Sequence, residues 1–297
     1  MLDLLGVTGL DTLAHEFNIT LNNLQLAVKR WGESSSKPIL ALHGWLDNAG
    51  TFDRLAPLLK DFQIFAVDMP GHGLSSHWPQ GMSYHSIDAV GIVSQLVRHW
   101  NWEKVTLLGH SMGASIASLY AGAFPEKVDR LVLIEGLGPL AAPASEVPHR
   151  LRRSIQQYAE LSLKKLPIYS SVEEAIELRR RVSMMSIGAA TPIVTRGLKE
   201  VVGGFTWRTD PRLKMESPYR MTEEQVCECL KQITCQVLWI RANQGMNLDP
   251  FMASHRQQSV KELNVFRLDG NHHVHLENPN RVAEAITPFL LNQTFNV

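Results

Sequence analysis

Between residues 39 and 134, four short apolar runs, Ile39–Leu42, Ile64–Val67, Val105–Leu108 and Leu131–Ile134, alternate with longer amphipathic stretches. Runs of this length are too short for core helices and too apolar for strands with one wet face. They are therefore read as strands buried on both faces, the condition of a parallel sheet covered by helices. The helices expected around them are Phe52–Lys60, Ser83–Trp100 and Ser111–Ala123. Two earlier strands, His15–Thr20 and Leu24–Lys29, flank the turn-prone pair Asn22-Asn23 and predict an antiparallel hairpin. A chain of 297 residues buries enough of its own surface to need no disulfide staples.

The strand rhythm stops near Gly138. Up to about Tyr219 it is replaced by helix-like stretches, Arg150–Lys165, Val172–Met185 and Pro192–Val202, followed by the irregular GGFTWRTDPRLKMESPYR. The rhythm then returns with a helix at Glu223–Lys231, a strand at Gln236–Arg241, a helix opening near Asp249, a strand at Val265–Leu268 and a last helix at Arg281–Leu291. This change of texture predicts a core made of residues 1–137 and 221–297, with a helical cap inserted over residues 138–220.

Charge narrows the partners. The 29 Lys and Arg residues cancel the 29 Asp and Glu residues, so no basic field is expected to attract nucleic acid. Cys227, Cys229 and Cys235 crowd into one stretch without a second pair at zinc-ligand spacing, and are read as reduced thiols of a cytoplasmic protein. The N-terminal residues lack the positive and apolar regions of a signal peptide. The uncharged stretch from Val105 to Pro125 has the length of a membrane span. Its interior, GHSMGAS, is too polar for one, so none is expected.

The chemistry centres on Gly109-His110-Ser111-Met112-Gly113. A G-x-S-x-G pentad alone would arise in roughly one chain in ten of this length. Here it joins a buried apolar run to the small-residue helix ASIASLYAGAF, and that placement predicts a sharp strand-to-helix turn with a strained serine at its apex. The charge developing on an attacked carbonyl needs donors. The backbone N–H groups of Met112 and of Trp45, in the loop HGWLDN, are the candidates. His43 lies too early in the chain to be the base and is read as ordering that loop. A base is expected after the last strand, where His272, His273 and His275 stand close together. No acidic residue at ligand spacing accompanies them, so general-base chemistry is expected there rather than a metal.

These markers together give the chain its likeness. HGWLDN (43–48), FAVDMPGHGLSSH (65–77), GHSMG (109–113), WRTDPRL (207–213) and NHHVHLENP (271–279) resemble the α/β-hydrolase superfamily, and within it the serine hydrolase-like proteins of the kraken type. The resemblance implies an α/β-hydrolase fold, a mostly parallel eight-stranded sheet flanked by helices. It also implies His272 as the base, five residues before Glu277 of the Glu-x-Pro ending. The third member of the triad departs from the usual pattern, because Gly245 stands where an Asp is usual. Asp249 is near, but Asp249-Pro250 has the look of a helix N-cap. Glu135, at the end of the Leu131–Ile134 run, matches an alternative position used by dehalogenase-type members and is the preferred acid.

The expected activity is a serine hydrolase, a carboxylesterase acting on a small or medium acyl ester through Ser111, His272 and Glu135, with no cofactor. A C–C bond hydrolase, lactonase or cofactor-free perhydrolase on the same triad is the alternative, as is a catalytically silent binding protein. Trp207, Met184 and Met185 are candidates for the substrate pocket. Asp68 is read as structural, and the arginine runs at 152–153 and 179–181 as wet faces of cap helices.

Overall fold

The computed structural model describes residues 14–34, 36–161, 166–247 and 249–293. The chain opens with the expected hairpin, β1 (His15–Leu21) and β2 (Leu24–Trp31), antiparallel about a turn in which Asn22 takes a left-handed φ of 52°. β3 (Lys37–Leu42), β4 (Phe62–Val67), α1 (Ser86–His99), β5 (Val105–His110), α2 (Met112–Ala123) and β6 (Val128–Ile134) follow. After an inserted stretch come α6 (Glu223–Lys231), β9 (Gln236–Gln244), α7 (Pro250–Ser259), β10 (Leu263–Asn271), α8 (Val274–Glu277) and α9 (Pro279–Leu290). The stretch itself carries α3 (Val147–Glu160), α4 (Val172–Ser183), α5 (Ile187–Gly197), β7 (Leu198–Val201) and β8 (Gly204–Trp207).

Eight strands form one sheet in the order β1-β2-β4-β3-β5-β6-β9-β10, parallel from β4 onward. The apolar runs are buried on both faces because alternate side chains serve two different cores. Leu40, Leu42, Leu131 and Leu133 join the cluster of Ile92, Leu96, Ile116 and Ala117 from α1 and α2. Ile39, Ala41, Val132 and Ile134 join Phe52, Leu55, Val282 and Ile286 on the other side. This is the period of two that a strand imposes. β3 lies between β4 and β5, so the chain reverses its winding there, and the carboxyl ends of the central strands open onto a crevice.

Three expectations need correction. Phe52–Lys60 is not an α-helix: two 3-10 turns, Ala49–Phe52 and Ala56–Leu58, replace it. Pro57 has no N–H to return to the preceding turn, which disfavours an α-helix through it. The predicted helix Pro192–Val202 is displaced. Ser186 caps α5 by accepting a hydrogen bond from the Ala189 N–H, Pro192 falls inside the helix, and Leu198–Val201 is a strand paired with Gly204–Trp207. Gly203 and Gly204, at φ 92° and 138°, make that reversal possible. The inserted stretch is thus not purely helical. Residues 162–165, at the end of the predicted Arg150–Lys165 helix, lie outside the described residues. The uncharged Val105–Pro125 stretch divides into β5 and α2, and no described helix is long and apolar enough to cross a membrane.

Candidate active site

Ser111 sits between β5 and α2 at φ 53°, ψ −111°, a conformation that costs a non-glycine residue on the order of 1–3 kcal/mol. Neighbouring contacts hold it there: its N–H donates to Ile134 O at 2.9 Å, and its C=O accepts from the Ser115 N–H at 3.0 Å. The flanking glycines are steric requirements. A Cβ at Gly109 would lie 2.5 Å from the Ala114 nitrogen, and one at Gly113 only 1.9 Å from the Leu42 oxygen. The turn is so tight that two residues to either side of the serine only hydrogen fits on the α-carbon. Met112 is the first residue of α2, where a backbone N–H has no intrahelical acceptor.

His272 follows the β10 ladder and brings Nε2 to 2.9 Å from Ser111 Oγ. Its Nδ1 faces Glu135 Oε2 at 3.2 Å. Glu135 caps the end of β6 at φ 56°, with its N–H bonded to Ile240 O at 2.9 Å. Its carboxylate accepts from two backbone N–H groups, Ala242 on Oε1 and Met246 on Oε2, each at 2.6 Å. A group that already accepts from N–H donors requires the proton of the facing imidazole on Nδ1. That leaves the Nε2 lone pair for the serine hydroxyl.

Gly245 makes room for the carboxylate at the end of β6. A Cβ there would stand 1.9 Å from Glu135 Oε2 and 2.4 Å from its Cδ, so the Glu135 carboxylate fills the space a side chain at 245 would need. Asp249 is engaged elsewhere: its Oδ1 accepts from the Phe251 and Met252 N–H groups at 3.0 and 3.1 Å and caps α7. His43 orders its loop. Its Nδ1 donates to Gly44 O at 2.8 Å and its Nε2 accepts from the Met69 N–H at 2.9 Å. Asp68 likewise ties turns together, accepting from the Ala49 N–H at 2.6 Å and the Leu74 N–H at 2.8 Å and facing Arg196 at 3.0 Å.

Ser111, Met112 and His272 open onto a cavity of about 1000 Å³. Trp45, Trp78, Ile87, Leu119, Leu213 and Met215 give it a largely apolar wall, with Arg153, Glu216 and Arg220 also along it. Trp45 is held by its indole N–H, which donates to Leu213 O at 2.8 Å. Three proposed pocket residues are elsewhere. Trp207 packs against Tyr169, with its indole N–H on the Tyr169 hydroxyl at 2.8 Å. Met185 is buried among Ala189, Ala190, Ile193 and Leu276. Met184 ends α4 in a left-handed conformation and is 75% exposed. The walls come instead from the segment before and along α1 and from the stretch ahead of α6. Their spread of single apolar residues carries no local pattern that could have identified them.

Behind Ser111, His272 and Glu135 lies a second polar layer. His110 and His275 are fully buried, their rings 4.1 Å apart, with His273 beside them. Burial depresses both imidazoles, that of His110 to about 4 and that of His275 well below its ordinary value. Asp47 reaches into this layer. Burial alone would raise its carboxyl, but His273, His110 and Arg179 outweigh that and hold it well below the usual carboxylate range. Arg179 is therefore no wet-face arginine: its Nη2 donates to Asp47 Oδ1 at 2.5 Å.

Comparisons with known proteins agree with this fold. The sequence profile of the family described as alpha/beta hydrolase fold matches residues 37–279. A Drosophila melanogaster protein named "Probable serine hydrolase" is 37% identical over 93% of this chain and 87% of its own length. A "Serine hydrolase-like protein" from Danio rerio is 32% identical over 97% of this chain and 91% of its own. The crystal structure of a hypothetical protein from Pseudomonas aeruginosa PAO1 superposes with a TM-score of 0.89 at 38% identity, covering 93% of this chain and 99% of that one.

Proposed function

The chain belongs to the α/β-hydrolase fold family, and from that premise we propose that it is a serine hydrolase cleaving carboxylic esters of small or medium acyl chains, with Ser111 as nucleophile, His272 as general base and Glu135 as the acid that orients it. The observation that carries the reading is the 2.9 Å contact between Ser111 Oγ and His272 Nε2 at a strained strand-to-helix turn. A serine hydroxyl is a weak nucleophile at its free pKa, and an adjacent imidazole with its lone pair toward the hydroxyl is the usual means of activating it.

The steps follow from the atoms in place. As Ser111 Oγ attacks the ester carbonyl, its proton passes to His272 Nε2, and the Glu135 carboxylate stabilises the resulting imidazolium through Nδ1–H. The oxyanion is received by the backbone N–H groups of Met112 and Trp45. His272 then protonates the departing alkoxide, and a water deprotonated by the same nitrogen releases the acid from the acyl-enzyme. The apolar walls suit an uncharged acyl chain, which gains roughly 25 cal/mol for each Å² of apolar surface removed from water.

Labelling with a fluorophosphonate probe, alongside hydrolysis of nitrophenyl esters graded by acyl length, tests the proposal. Wild type should label at one serine and Ser111→Ala should not, with ester hydrolysis lost in parallel. A wild type that neither labels nor turns over any ester in the series would leave a binding protein on a hydrolase fold.

A further inference from the structure

Asp47, His110 and His273 form a buried group whose donor atoms all lie within 4.8 Å of one another. It is drawn together from the loop after β3, the end of β5 and the start of α8, so the residues are 226 positions apart at their extremes. The hydrogen-bond pattern settles which atom His110 presents to it. Its Nε2 lies 2.9 Å from the carbonyl oxygen of His272, and a carbonyl only accepts, so Nε2 carries the proton. The neutral ring then directs its Nδ1 lone pair toward Asp47 Oδ2, 3.6 Å away. Nδ1 is buried and has no hydrogen-bond partner. A lone pair facing a carboxylate oxygen across such a distance in a buried layer is repulsive unless a proton or a metal ion joins them, and the spacing to a third donor, His273 Nε2, at 3.4 Å from the same oxygen favours the metal.

We propose that Asp47 Oδ2, His110 Nδ1 and His273 Nε2 bind one divalent transition-metal ion of the zinc class, in a structural site directly behind the catalytic histidine. The distances discriminate between coordination geometries. Oδ2 lies 3.6 Å from His110 Nδ1 and 3.4 Å from His273 Nε2. Donors about 2.0–2.1 Å from zinc stand roughly 3.3–3.5 Å apart in a tetrahedron, and only about 2.9 Å apart as octahedral neighbours. The two separations from the carboxylate oxygen therefore fit the tetrahedral arrangement better than the octahedral one. Two imidazoles and a carboxylate also make up a donor set that suits zinc.

The surroundings of His110 and Asp47 are those of metal ligands, whereas His273 Nδ1 is buried with no hydrogen-bond partner. His110 donates its other ring N–H to a backbone carbonyl, the usual support of a metal-bound histidine. Asp47 gives its other oxygen, Oδ1, to Arg179 and keeps Oδ2 toward the imidazoles. Gly44 bears on the same point, since a Cβ there would stand 2.9 Å from His110 Nδ1 and 3.0 Å from Asp47 Oδ2; glycine keeps both donor atoms clear. The site reaches the triad through a single bond, from His110 Nε2–H to the carbonyl of His272. Because the three ligands are buried, the ion enters as the chain folds rather than by diffusion into the finished protein.

The test measures metal, independently of hydrolysis, so its failure leaves the hydrolase reading untouched. Wild type and His273→Gln are produced in zinc-supplemented medium, passed over a chelating resin, and assayed for zinc per chain. Wild type should keep about one equivalent more than the variant. Wild type should also unfold at a higher temperature when refolded with zinc than when refolded with a chelator. A second measurement needs no variant: wild type refolded with Co²⁺ should show the intense visible bands of a four-coordinate site. Equal zinc in wild type and variant, no retained zinc in wild type, or only the weak bands of six-coordinate cobalt would each overturn the proposal.

Discussion

Gly245→Ala is the sharpest perturbation of the site, because it adds one methyl group and replaces none of the three residues proposed to react. The backbone at 245 is not left-handed, so alanine is permitted there and any effect comes from its Cβ. That atom would lie 1.9 Å from Glu135 Oε2, whereas ordinary contact begins at 3.4 Å, so the carboxylate must retreat by about 1.5 Å. A retreat of that size breaks the 2.6 Å bond from the Met246 N–H and opens the 3.2 Å contact with His272 Nδ1. A hydrogen bond to a charged group contributes about 1.5–3 kcal/mol and overpacking costs about 1–3 kcal/mol, so unfolding free energy should fall by roughly 3–5 kcal/mol. Catalysis should suffer separately. Losing the correct imidazole tautomer costs up to about 10⁴-fold in kcat, and a displaced carboxylate should cost between about 10²- and 10⁴-fold. Urea unfolding measures the first effect, and the rate of fluorophosphonate labelling with nitrophenyl ester turnover measures the second. Wild-type stability together with wild-type labelling in Gly245→Ala would refute the argument that Glu135 fills the place of a residue-245 side chain.

Glu135→Gln should lower kcat by about 10³- to 10⁴-fold in ester turnover, whereas Asp249→Asn should leave kcat within about twofold, since asparagine still caps α7. The reverse ranking in the same assay would move the acid to Asp249. Arg179→Leu leaves the Asp47 carboxylate buried without its guanidinium, and calorimetry or urea titration should find a loss of about 3–5 kcal/mol. His43 and His72 are fully buried, and burial depresses both imidazoles, that of His72 to about 3. Their folded pKa values lie below the unfolded value near 6.5, so the stability they allow is present above about pH 6.5 and lost as pH falls toward 3. Urea midpoints should therefore drop through that window, by up to about 1.4 kcal/mol per pH unit for each histidine, and a flat profile between pH 6.5 and 4.5 would contradict it.

The parts of the fold legible in the sequence were those whose cause is local. A four-residue apolar run needs two covered faces wherever it lies, so β3, β4, β5 and β6 could be placed from composition and length alone. The turn around Ser111 was legible for the same reason: Gly109 and Gly113 are demanded by backbone atoms within a few residues or on the adjoining strand. The helix expected over Phe52–Lys60 failed because Pro57 outweighed an amphipathic pattern, and the Pro192–Val202 helix failed because Gly203 and Gly204 allowed a hairpin.

Tertiary structure alone decided everything that depends on residues distant in the chain meeting in space. Nothing near Arg179 in sequence says that its guanidinium leaves the solvent for Asp47, 132 residues away, and nothing near His273 announces a carboxylate beside it. Which of Glu135 and Asp249 faces His272 likewise turned on which carboxylate fills the space beside Gly245. Trp207, Met184 and Met185 were misplaced because pocket lining is set by the path of the chain between β6 and α6, and side-chain type does not encode that path. Periodicity and local sterics act over one turn or one strand and so remain readable in order along the chain. Charge pairing and cavity shape act through space, and only the folded chain determines which residues share it.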